Sequence, residues 1–211
     1  MVNGIIAVVL GYLLGSIPSA YIATRVATGK DVRQLGGGNV GGLNVYREAG
    51  AMPAVAVGIV DLGKGAAAVA IAYWLLGVSQ PFVLLTALAA VAGHNWMVFL
   101  KFSGGKGMGT TIGALSILLP IYGYPLGLAF FFGIVLIPVV ITRNIALSMF
   151  IGLLSLPFIS WLGMKSTPFI IFSVVLGLII AVKFYPTARA ALARAESMKD
   201  FIFDRGRRGR R

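Results

Sequence analysis

The sequence predicts an all-α fold, a polytopic membrane helix bundle of about seven transmembrane helices with glycine-rich loops on one face. Three observations carry that prediction. Hydrophobic residues make up 58% of the 211-residue chain and charged residues only 11%, too apolar for an ordinary soluble domain. Apolar stretches of membrane length recur along it. The lysines and arginines cluster in alternate gaps between those stretches.

A bilayer core of about 30 Å takes roughly 20 helical residues per crossing. Spans are expected at 2–23, 53–77, 81–100, 109–120, 124–141, 144–162 and 168–183. The first has no positive leading region and contains Gly15-Ser16-Ile17-Pro18-Ser19, so it reads as a retained span rather than a signal peptide. The fourth is short and ends at Pro120, after which Gly123 and Pro125 mark a tight turn. Were 109–141 one kinked helix, the count would fall to six. Charge favours seven: with the N-terminus outside, the 25–52 loop, the 101–108 loop, Arg143 and the C-terminal tail all face the cytoplasm. Every Lys and Arg except Lys64 and Lys165 then lies on that side.

Residues 1–186 read as one integral membrane domain and 187–211 as a basic cytoplasmic tail. In the tail Arg189, Arg194, Glu196, Lys199 and Asp200 alternate with Ala and Leu, the pattern of an interfacial helix. The terminal run from Arg205 to Arg211 is a headgroup-attracting anchor. Small-xxx-small pairs at Gly11/Gly15, Gly109/Gly113 and Gly123/Gly127 are expected to let helix backbones pack closely.

The net charge of +12 points to anionic membrane lipids rather than nucleic acid, because the charges flank apolar spans instead of covering a soluble face. Cysteine is absent, and one histidine with six scattered acidic residues makes a protein-built metal cluster improbable, so neither metal nor cofactor is expected.

Two stretches stand out as chemistry-bearing. The first is Gly36-Gly37-Gly38-Asn39-Val40-Gly41-Gly42-Leu43-Asn44-Val45-Tyr46-Arg47. Glycine lets backbone N–H groups approach an anion, Arg47 can offer a bidentate fork to phosphate, and Asn39 and Asn44 can tie down the turns. The second is Gly93-His94-Asn95-Trp96, then Gly104-Gly105-Lys106-Gly107. It is not a nucleotide triphosphatase loop, since position 100 is Leu and Gly107 follows the lysine where Ser or Thr is required. Phosphate contact at the following helix start remains open to it. His94 stands either as an interfacial histidine bonded to loop backbone or as a proton-transfer group. Asp61 and Lys64, three apart inside the second span, read either as a neutralising pair or as a cation lining a polar cavity with Asp61 holding it.

Together these motifs resemble the bacterial acyl-phosphate:glycerol-3-phosphate acyltransferases, PlsY-type integral membrane enzymes that make lysophosphatidic acid. The resemblance runs through Gly15 to Ser19, the Asp31-to-Gly50 loop, Asp61-Leu62-Gly63-Lys64-Gly65 and Gly93 to Gly107, in the family's order. It implies acyl phosphate and glycerol 3-phosphate as substrates, a multi-pass protein of the inner membrane and a cytoplasmic active site. It implies a catalytic set of Arg47, Lys106 and Asn39. Gly36, Gly37, Gly38, Gly41, Gly42, Asn44, Lys64, His94, Gly104, Gly105, Gly107 and Lys183 would bind substrate. This chain departs from the family pattern at four positions: Gly37 and Ala146 stand where the family has serine, and Lys183 and Pro186 where it has His and Asn. Those departures leave the donor loop intact and alter the acceptor side. Two other readings stand beside acyl transfer: a non-catalytic membrane protein that binds phosphate or lipid, and an organic-phosphate transporter.

Overall fold

The computed structural model describes residues 1–194 and Ile202, and among these every regular element is helical. The one extended pairing among them is an isolated bridge between Met97 and Ser103. The tail residues Glu196, Lys199 and Asp200 and the run 205–211 lie outside the described residues. The chain forms two compact units, Met1–Leu118 and Leu119–Arg211.

In the first unit the expected opening span is broken. Helix α1 is Val2–Gly15 and α2 is Ser19–Thr28, with Pro18 between them at φ −88° and ψ 60°. Hydropathy carries smoothly through 2–23, but proline has no N–H and its ring excludes the preceding turn, so the helix stops. Of the backbone groups at this break, Ile17 O accepts from Lys64 Nζ at 3.2 Å; beside it, Ser16 Oγ accepts from Val98 N and donates to Gly93 O, both at 3.4 Å. Such rescue is what an apolar medium demands of a broken helix.

Helix α3 is Gly42–Ala49, and α4 is Ala51–Ala70, prolonged by a π turn over Ile71–Leu75. Helix α5 is Gln80–Asn95, and α6 is Met108–Ile121. The third span therefore ends at Asn95 rather than at position 100, where the chain turns through Trp96 toward the second glycine-rich loop. Helix α4 is arranged inside out, exposing Val55, Ile59, Val60 and Leu62 while burying Asp61 and Lys64. An intramembrane ion pair is expected to face the protein interior.

Two small-xxx-small pairs act as expected. A Cβ on Gly15 would collide with the Ala90 carbonyl of α5, and one on Gly113 with the Leu62 carbonyl of α4, so both helix pairs depend on backbone-to-backbone approach. Gly15→Ala is expected to lower stability by about 1–3 kcal/mol through overpacking, read as a lower Tm in detergent. The third pair does not behave this way. Gly123 sits at φ +83° in the turn before α7, with no atom close to where its Cβ would be, and it serves the reversal rather than helix packing.

The second unit holds α7 (Pro125–Thr142), α8 (Ile145–Ile159), a π turn over Ser160–Met164, and α9 (Thr167–Arg194). The break at 122–124 separates α6 from α7, so 109–141 is not one kinked helix. Phe131 and Val135 of α7 fill the space over Gly152 of α8. Asn144 caps α8 by accepting from Leu147 N at 3.1 Å. Helix α9 runs unbroken through Pro186, so the last span and the start of the basic tail are one helix.

Among the described residues, five segments are long and apolar enough to cross a membrane: Val2–Thr28, Ala51–Leu75, Pro125–Thr142, Leu147–Met164 and Thr167–Ala190. The expected third and fourth spans correspond to shorter helices, α5 with 16 residues and α6 with 14. At 1.5 Å per residue these rise only about 24 and 21 Å, less than a full hydrocarbon core.

Candidate active site

The first glycine-rich loop is an ordered structure rather than a linker. Asp31 opens it, accepting from Arg33 N at 2.9 Å and gripping the Arg33 guanidinium with both carboxylate oxygens at 2.6–3.1 Å. That fork holds the Asp31 carboxyl below the usual carboxylate range and raises Arg33 in turn. The guanidinium also lies 5.7 Å from the Tyr21 ring centre.

Asn44, on the first turn of α3, then folds the loop back on itself. Its Nδ2 donates to Val32 O (3.3 Å) and Leu35 O (3.1 Å), and its Oδ1 accepts from Gly37 N at 3.4 Å. Asn39 makes no such tie; its amide lies beside Gly41. Asn44→Ala is expected to cost about 1–3 kcal/mol, because buried backbone groups lose their partners. Faster proteolysis within 32–41 would report it.

The second loop is held by close backbone contact. Gly105 N donates to His94 O at 3.0 Å. Gly104 and Gly105 lie so near the His94 and Asn95 backbone and the His94 ring that neither has room for a Cβ. Gly107, at φ +75°, turns the chain into α6, where Thr111 N donates to Gly107 O at 2.8 Å.

These two loops meet. The position a Cβ would take on Gly105 lies 2.6 Å from Val40 O of the first loop and abuts His94 Nε2. Beneath that contact, Val32 and Val40 of the first loop share one buried apolar cluster with Val45 of α3, Val57 of α4, and Met97 and Leu100 of the turn after α5. Hydrophobic packing thus fastens together segments some sixty residues apart in sequence.

The other expected residues take distinct places. Arg47 is exposed on the last turn of α3, and Lys106 is half-buried in the second loop. Gly36 and Gly38 adopt positive φ in the first loop, and Gly41 and Gly42 form the start of α3. Lys183 is half-buried on α9, in the second unit.

Lys64 and His94 converge on Asp61, which residue order alone marks only as the partner of Lys64. Asp61 Oδ1 accepts from Ser19 Oγ at 2.7 Å, pairs with Lys64 Nζ at 2.8 Å and faces His94 Nδ1 at 3.5 Å. Asp61, Lys64 and His94 are each at most 6% exposed. The buried 2.8 Å ion pair of Asp61 and Lys64 is common to both readings open for them. Tyr12 adds a tie between α1 and the end of α5, donating to Trp96 O at 2.6 Å.

Sequence reasoning assigned no ligand role to Asn95, Thr110 and Thr111. All three are fully buried at the two ends of the second loop, with side-chain polar atoms that lack a hydrogen-bond partner among the described residues. The available signal was polar residue types flanking a glycine-rich turn at the edge of apolar helices.

Helices with apolar outer faces and buried charges, bearing two cation-carrying glycine loops that meet at one place, define a polytopic membrane enzyme of anionic substrates. The chain belongs to the glycerol-3-phosphate acyltransferase family, whose model matches residues 5–194. Glycerol-3-phosphate acyltransferase 1 of Dehalococcoides mccartyi is 48% identical over 202 residues, spanning 96% of this chain and 97% of that protein. Glycerol-3-phosphate acyltransferase 2 of Moorella thermoacetica is 37% identical, over 91% of this chain and 95% of its own length. The crystal structure of PlsY (YgiH), an integral membrane glycerol 3-phosphate acyltransferase, in its glycerol 3-phosphate form matches with a TM-score of 0.78 at 28% identity, covering 90% of this chain and 92% of that one. Its lysophosphatidic acid form matches with a TM-score of 0.75 at the same identity and coverage. The family resemblance carried by the ordered motifs is thus borne out, and the protein is a membrane acyltransferase.

Proposed function

We propose that this acyltransferase moves a fatty acyl group from acyl phosphate to the 1-hydroxyl of glycerol 3-phosphate, giving lysophosphatidic acid and inorganic phosphate. Acyl transfer to glycerol 3-phosphate is the reaction of the family, and it opens phospholipid synthesis. The observation that carries the site assignment is the meeting of the two loops at Val40 and Gly105.

An acyl phosphate is a mixed anhydride and needs little leaving-group activation. The acceptor O1 bonds to the acyl carbon, the bond from that carbon to the phosphate oxygen breaks, and the hydroxyl proton passes to the acceptor's own phosphate. The protein's task is to bring two anions together and to stabilise charge on the carbonyl and the departing phosphate. Arg47 and Lys106 neutralise phosphate charge, Asn39 assists them, and the glycine N–H groups of both loops cradle the donor. Lysines and arginines at the loop ends of the helices support a cytoplasmic site in the inner membrane with the N-terminus outside. On this reading residues 1–186 are the acyltransferase domain and 187–211 a basic tail.

The test is product analysis with purified protein, palmitoyl phosphate and glycerol 3-phosphate, without coenzyme A. Lysophosphatidic acid is the expected product. Product formed only when palmitoyl-coenzyme A replaces palmitoyl phosphate would reject the donor assignment.

A further inference from the structure

We propose that Asp61 is a positioning residue for this reaction: its buried carboxylate braces both ends of the loop that carries Lys106. Lys106 lies between the end of α5 and the start of α6, and each of those helix ends rests on Asp61. At the α5 end, His94 turns Nδ1 toward Asp61 Oδ1 at 3.5 Å. The same residue then holds the loop twice, since its carbonyl accepts from Gly105 N at 3.0 Å and its Nε2 side flanks Gly105. At the α6 end, the position of a Cβ on Gly109 lies 3.1 Å from Asp61 Cβ, so the second residue of α6 sits against the same side chain.

The remaining partners explain how an acid can serve here. Lys64, one helical turn on, balances its charge at 2.8 Å and donates to Ile17 O at 3.2 Å, so the cation is itself tethered to the break between α1 and α2. Ser19 Oγ donates to Oδ1 at 2.7 Å from the first turn of α2. A buried pair satisfied in this way is rigid, and removing one member leaves the other uncompensated. Asp61 reaches the loop through His94 and Gly109.

The kinetic part of the test rests on the proposed acyl-phosphate chemistry, whereas the structural part does not. Hydrogen exchange of the full-length protein in nanodiscs is compared between wild type and Asp61→Asn, a replacement of equal size without the charge. The proposal expects exchange over 103–108 to quicken about tenfold or more, while the middle of α5 and of α6 keeps its protection. It also expects KM for palmitoyl phosphate to rise about tenfold, with kcat changed less than about threefold. Unchanged protection over 103–108, a uniform rise across the first unit, or an unchanged KM with a fallen kcat would each overturn it. If Asp61→Asn does not fold, Ser19→Ala removes a single bond to the same oxygen; selective loosening of 103–108 supports the proposal and its absence overturns it. A wild-type protein inactive with palmitoyl phosphate would reject the donor assignment and leave the exchange result to decide this inference alone.

Discussion

Replacing Lys106 with alanine is expected to lower lysophosphatidic acid formation from palmitoyl phosphate by about 10²–10³-fold, the usual cost of deleting one group that stabilises charge in the transition state. Lys106 is the cation of a loop whose backbone is pinned at Gly105 to the end of α5, so its charge is delivered from a fixed base. Arg47→Ala is expected to fall as far for a related reason, since α3 presents its guanidinium from the loop that Asn44 folds. Both side chains lie outside the buried apolar cluster. Size-exclusion profile and Tm should therefore stay as in the wild type while activity disappears. Full activity in both variants would remove the phosphate site.

Gly105→Ala should give the second largest effect, and for the opposite physical reason. It deletes no charge. Instead its methyl group would press on His94 Nε2 and lie 2.6 Å from Val40 O, and the latter is backbone that cannot rotate away. Overpacking of this kind costs about 1–3 kcal/mol of stability. Displacing Lys106 by as little as an ångström is expected to cost activity on the order of 10²-fold. Gly58→Ala in α4 is the control, because a Cβ there meets no atom within 4 Å. It should match the wild type in activity and be no less stable, since alanine is the better helix former. Equal behaviour of the two variants would show that the loops do not need their contact.

Several parts of this protein were legible from residue order because they depend on neighbours in sequence. The turn at Gly123 and Pro125 was read from local backbone preference and does separate α6 from α7. Gly11 and Gly15 recur at the spacing of one helix face, and that face packs on α5. The broken first span was not legible in the same way. A hydropathy window averages over Pro18, whereas the carbonyl left at the stop, Ile17 O, finds its partner in Lys64 from a later helix. Gly123/Gly127 shows the reverse error, since the spacing is right but one member belongs to a turn.

The site divides along the same line. Arg47, Lys106 and the glycines announced themselves by residue type, since anion binding needs N–H groups and cations in short loops. Asp61 announced only its cost: an ionised side chain within an apolar stretch needs a reason, but its spacing to Lys64 supplies no more than a pair.

By itself the sequence determined the membrane class, the helical content, the loops that carry charge and the family, because composition, periodicity and ordered motifs are properties of the linear chain. Only the tertiary structure decided that Val40 meets Gly105 and that Ser19 and His94 both face the Asp61 oxygen that pairs with Lys64. Those contacts join residues about 30 to 65 positions apart, and nothing in local preference sets them; they follow from which helix backbones approach closely enough to pack.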